Sequence, residues 1–238
     1  MEIVDLSSKN EKKKHKNING LSPQWPFRLI IVGVCGSGKT NLLLNLLYKY
    51  LHYDTLTVIA RHVDNEQYTD LREMMESLED VDSDSYFFAD SLDQTPQLDT
   101  FDKKKQNLVV FDDFASEKDQ SIVNTYFISG RHCNVSTIYL SQSFHAIPKI
   151  SRLQATMVII FKGSNANDRK ALWEDYCSDM SYKEFDTIFH NCTDKEHSFL
   201  VIDLANPLLK LRQKFDNIFV SKKKIIFYFI FLYKIKKS

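Results

Sequence analysis

Short apolar runs alternate with amphipathic stretches along most of the chain. Residues 27–32, 55–60, 85–89, 107–111, 135–140 and 157–161 are apolar runs of strand length. Between them, residues 42–51 carry a wide apolar face. Tyr68, Leu71, Met75 and Leu78 recur at helical spacing, and Ile122, Val123, Tyr126 and Phe127 mark a helix over 119–129. Further helices are expected at 168–177 and 182–190, and a loop at 91–105. Residues 198–203 and 208–211 flank Ala205-Asn206-Pro207 and read as a closing hairpin. Strands separated by helices predict an α/β fold, with a mostly parallel sheet flanked by helices on both faces. There is no internal repeat.

Composition adds little to this picture, but charge does. Lysine and arginine total 31, aspartate and glutamate 31, and 43% of the 238 residues are apolar. That excludes a wholly disordered chain, a collagen-like one and a uniformly basic DNA-coating protein. The balance is a sum over unequal segments. Residues 64–102 hold thirteen acidic residues against Arg72, a net −12, and residues 210–238 hold nine basic residues against Asp216, a net +8. Cys35, Cys133, Cys177 and Cys192 form no CxxC pair and lack zinc-ligand spacing, as expected of free thiols in an intracellular compartment. The charged first twenty residues do not read as a secretory signal. The apolar run 225–233, bracketed by lysines, is shorter than the ~20 residues of a spanning helix, so membrane contact is not expected. These shifts divide the chain into a basic N-terminal tail (1–21), a core domain (22–215) and a lysine-rich apolar tail (216–238).

The first strand runs into Gly33-Val34-Cys35-Gly36-Ser37-Gly38-Lys39-Thr40, a full G-x-x-x-x-G-K-[ST] loop followed by a helix. Glycines let successive N–H groups converge on phosphate oxygens. Lys39 places a charge on the β- and γ-phosphates, and the Thr40 hydroxyl ligates Mg²⁺. ATP and Mg²⁺ are therefore the expected cofactors. Residues 33 and 35–40 form the nucleotide cradle, and Cys35 is a small residue within it.

A second apolar strand, Leu108-Val109-Val110-Phe111, ends in Asp112-Asp113. The first acid suits the Mg²⁺ water shell and the second suits polarisation of an attacking water. The separation from Lys39 leaves room for an extra strand, which favours motor-type ATPases over nucleotide kinases. Farther on, the strand before Gln142 should bring its amide to the edge that carries Asp112, where it can sense the γ-phosphate. Arg131 precedes that strand and so begins at the opposite edge. It is badly placed for its own nucleotide but can reach a neighbour's in a ring.

Three blocks together resemble the poxvirus-type genome-packaging ATPases of the FtsK/HerA superfamily. They are Pro26-Phe27-Arg28 entering the phosphate loop, Val110-Phe111-Asp112-Asp113, and Gly130-Arg131-His132 with Asn134-Val135-Ser136 and Leu140-Ser141-Gln142. The resemblance spans about residues 22–205. It implies a RecA-like core, self-assembly into a ring, and ATP-driven movement of double-stranded DNA into a capsid, with capsid or portal proteins as candidate partners and a viral assembly site or virion as the location. It assigns Lys39 and Thr40 to nucleotide and Mg²⁺, Asp112 to Mg²⁺, Asp113 to hydrolysis, Gln142 to sensing and Arg131 to a finger acting in trans. Two other readings remain: a P-loop nucleoside or nucleotide kinase, and a non-catalytic nucleotide-binding interaction protein.

Overall fold

The computed structural model describes residues 23–77, 82–206, 210–215 and 217–219. The N-terminal tail, Leu78 and the apolar run 225–233 lie outside these residues.

The strands are β1 (Arg28–Val32), β2 (Thr55–Ala60), β3 (Tyr86–Ala89), β4 (Asn107–Asp112), β5 (Val135–Ser141), β6 (Met157–Phe161), β7 (Phe199–Asp203), β8 (Leu211–Gln213) and β9 (Asn217–Phe219). They form one sheet in the order β3-β2-β4-β5-β1-β6-β7-β8-β9. Pairing is parallel from β3 through β6 and antiparallel from β6 to β9. The hairpin after Asp203 is present, but its return strand starts at Leu211 rather than 208. β9 then extends the sheet beyond residue 215.

The helices are α1 (Lys39–Asn45), α2 (Glu66–Ser77), α3 (Ser121–Ser129), α4 (Lys149–Gln154), α5 (Ala166–Tyr176) and α6 (Tyr182–Thr193). α1 continues through a wider π-type segment, Leu46–Tyr50. Strand alternation decides which helix covers which face. Leu29 and Ile31 of β1 pack with Leu43 and Leu47 of the first helical segment and with Tyr68, Leu71 and Met75 of α2. Ile30 and Val32 face the other way, onto Val123 and Phe127 of α3, Leu172 of α5 and Phe185 of α6. Strands buried on both faces are why the sequence shows continuous apolar runs rather than alternation.

Local chemistry fixes the helix starts. The Asn165 side chain accepts from the Asp168 N–H ahead of α5, and Ser181 with Glu184 forms a reciprocal capping box for α6. Residues 91–105 contain two short 3₁₀ turns, Leu92–Gln94 and Leu98–Thr100, within the expected loop. α4 has no counterpart in the sequence reading. It spans only six residues and buries Ser151 and Arg152 while exposing Ile150 and Leu153, an inversion of the usual amphipathic pattern. No described helix is long and apolar enough to cross a membrane.

The two-sided core predicts a sharp contrast. Phe127→Ala, at a fully buried ring, should cost about 3–5 kcal/mol in denaturant unfolding. Phe87→Ala, on edge strand β3 and 41% exposed, should cost less than about 1 kcal/mol.

Candidate active site

The loop between β1 and α1 turns at Gly36 and Gly38, whose φ angles of 73° and 101° suit glycine. It is tied to the sheet where the Gly33 N–H donates to the Ser141 carbonyl at 3.1 Å, and it closes on itself through Ser37 N–H to Val34 O at 3.2 Å. The Lys39 ammonium donates to the Gly33 and Val34 carbonyls at 2.6 and 3.1 Å. Burial lowers the Lys39 pKa, and the charges of Asp112 and Asp113 oppose that shift.

A cleft of about 360 Å³ opens beside this loop. Lys39, Thr40, Asp112, Asp113 and Gln142 all line it, together with Cys35, Gly36 and Gly38. β4 and β5 end here in parallel register, with Asp112 opposite Leu140, so the acids and the glutamine emerge at one edge. The Gln142 Nε2 donates to Asp113 Oδ1 at 3.2 Å. Asp113 adopts a left-handed backbone conformation, φ 65°, and its N–H donates to the Leu140 carbonyl. Aspartate tolerates this conformation better than most residues do, and such conformations concentrate at functional sites. It offers a reason for aspartate at position 113.

Neighbouring groups hold these parts in place. The Tyr68 hydroxyl, on α2, donates to Asp112 Oδ2 at 2.7 Å. Burial raises the Asp112 pKa, while the Tyr68 hydrogen bond and the Lys39 charge pull it down. Burial and Asp112 push the Tyr68 phenol well above its usual range, so it stays a donor. The Arg61 Nε donates to the Asp113 carbonyl at 3.2 Å, and its Nη2 pairs with Glu117. Asp168, 1% exposed, accepts from Ser143 Oγ and the His145 N–H at 2.8 and 2.7 Å, which braces the turn that follows Gln142.

In the sequence Tyr68 shows only as one of the residues at helical spacing on α2, and Arg61, His62 and Asn65 belong to no motif, although His62 and Asn65 also line the cleft. The available signal was a tyrosine on the apolar stripe of an acidic helix, since a buried phenol needs a partner. Arg131 lies elsewhere. It is exposed in the turn Gly130–Cys133 ahead of β5, close enough to Arg28 for its charge to lower the Arg28 pKa, after the larger effect of burial. That puts it at the sheet edge opposite the cleft.

The residues fit a Mg²⁺-bound nucleotide. The Ser37 hydroxyl is buried in the loop without a hydrogen-bond partner, and a Cβ placed on Gly36 would meet nothing within 4 Å, so the cradle opens into free space. Among the described residues, no cluster of three or more His, Cys, Asp or Glu forms an all-protein cation cage. A hydroxyl and a carboxylate on one cleft are the donor set of a Mg²⁺ that draws its other ligands from phosphate and water.

The sheet and loop define a P-loop NTPase with a RecA-like α/β core. The family model of the poxvirus A32 protein matches residues 14–202, and the chain belongs to that family. Among solved structures it is similar to the genome-packaging NTPase B204 from Sulfolobus turreted icosahedral virus 2 in complex with ATPγS. Identity is 15%, TM-score 0.57, and the match covers 81% of this chain and 98% of that one. It is also similar to B204, the DNA-packaging ATPase from Sulfolobus turreted icosahedral virus, at 18% identity and TM-score 0.53, covering 78% and 96% of the two chains. These likenesses bear on the fold. No curated protein sequence matches the chain.

Tyr68→Phe keeps the ring and removes one bond to a candidate Mg²⁺ ligand. The Mg²⁺ concentration that half-saturates ATP turnover should rise about tenfold, with unfolding shifted far less. An unchanged Mg²⁺ dependence would count against the role of the Tyr68–Asp112 bond.

Proposed function

We propose that the chain is an ATP-hydrolysing motor that moves double-stranded DNA, packaging a viral genome into capsids. The observation that carries this reading is the cleft joining the phosphate loop to Asp112, Asp113 and Gln142, with β5 lying between β1 and β4. An inserted strand and a second acid favour a motor over a kinase. Membership in the poxvirus A32 family supports the same reading, as does likeness in fold to proteins described as packaging ATPases.

The chemistry follows from the side chains. Loop N–H groups and Lys39 bind the β- and γ-phosphates and offset their charge. Thr40 and Asp112 would hold Mg²⁺, which when bound would supply charge neutralisation for phosphoryl transfer. Asp113 polarises a water for in-line attack and takes its proton, and the Gln142 amide orients the Asp113 carboxylate. Arg131 cannot serve this cleft from the far edge of the sheet. In a ring it acts on a neighbour's nucleotide, stabilising transition-state charge. Capsid or portal proteins are the further partners, and a viral assembly site is the place of action.

Purified protein should hydrolyse ATP faster when duplex DNA is added. A rate unchanged by DNA, in every oligomeric state, would overturn the motor reading. Mixing Arg131→Ala with Lys39→Ala subunits should restore part of the activity that each lacks alone. No restoration in well-formed mixed rings would remove the trans role.

A further inference from the structure

On the other flank of the phosphate loop lies a second cleft of about 250 Å³. Val34 and Ser37 of the loop line it, as do Phe161 and Gly163 at the end of β6 and Glu196 and His197 ahead of β7. Cys35 and Gly36 line both clefts. Gly36 presents no side chain there, and a Cβ placed on it would meet nothing within 4 Å, so the two clefts adjoin across bare loop backbone.

The second cleft carries a fixed ring. His197 sits at φ 55°, and its Nδ1–H donates to the Ser37 carbonyl at 3.2 Å. A Cβ on Gly38 would lie 3.2 Å from that same nitrogen, so the imidazole packs directly against the loop backbone. Its side chain nevertheless remains 62% exposed, and the Glu196 carboxylate lies 3.6 Å from its Nε2. Val34, on the same cleft, is an apolar side chain left 41% exposed and close over Gly163. Lys162 also lines the cleft, and its ammonium donates to the Asp194 carbonyl at 3.2 Å. The cleft thus combines a flat ring, an apolar side chain and a carboxylate beside one lysine. These groups suit a heterocycle attached to a polyol.

We propose that this second cleft seats the nucleoside half of the nucleotide, with the base laid against the His197 imidazole and Glu196 accepting hydrogen bonds from ribose hydroxyls. The proposal rests on the ATPase reading above, because it assumes that the phosphates occupy the first cleft. It makes His197 and Glu196 residues that recognise the nucleoside and leave the phosphates to the loop.

The test is binding of two Mg²⁺-loaded probes to the full chain: a non-hydrolysable ATP analogue and inorganic tripolyphosphate. His197→Asn removes the ring but keeps a residue that accepts positive φ. It should weaken the analogue about tenfold, as the loss of one base–ring stack would, and leave tripolyphosphate unchanged. Glu196→Gln, at an exposed position that folding does not depend on, should weaken the analogue alone by a few-fold. Analogue binding unaffected by both substitutions would overturn the proposal. So would equal loss of the two probes in variants whose unfolding midpoints match the wild type. If the wild type bound neither probe, the ATPase reading itself would fail.

Discussion

The site turns on one carboxylate that is partly withdrawn from water. Asp112 ends a buried parallel strand, and burial there disfavours its charge. A carboxylate in that setting needs partners, and the structure supplies two: the Tyr68 hydroxyl at 2.7 Å and the nearby Lys39 ammonium. Its remaining acceptor capacity faces the cleft shared with Thr40, which suits a divalent cation. Tyr68 reaches Asp112 only because α2 packs over β2 and β4, and Lys39 only because β1 and β4 end at one edge. The sheet order and the face each helix covers are thus conditions for the site.

Much of this was legible in the sequence, for a definite physical reason. Strands buried on both faces must be continuously apolar, so β1, β2, β4, β5 and β6 stood out. A loop that binds phosphate through its backbone needs glycines at fixed spacing, so residues 33–40 stand out in the sequence alone. Parallel pairing then brought Gln142 to Asp113. What escaped is what depends on tertiary packing. Tyr68 falls at the helical spacing of α2 because its ring is core, and only its hydroxyl belongs to the site. α4 was hidden by an inverted pattern in which Arg152 is buried against Asp175 and over the Phe144 ring, while Ile150 and Leu153 face out. The Asp168 brace links residues more than twenty positions apart, and no spacing rule announces such a contact.

The two edges of the sheet gather different groups. The C-terminal edge gathers Asp112 and Asp113 around the phosphate loop, while the opposite edge presents Arg28 and Arg131 near one another. Lys39 and Arg61 sit beside the two acids, so charge at that edge is mixed, and bulk neutrality says little about local partners.

The central claim is that nucleotide binding and nucleotide cleavage reside in separable groups of one cleft, with Asp113 serving cleavage. The most direct measurement compares ATP binding with single-turnover ATP cleavage in Asp113→Asn, which keeps the shape of the side chain and its tolerance of positive φ. Binding within a few-fold of wild type, with cleavage slowed at least about a hundredfold, is the expected result. Cleavage at the wild-type rate, or loss of binding and cleavage together, would contradict the account.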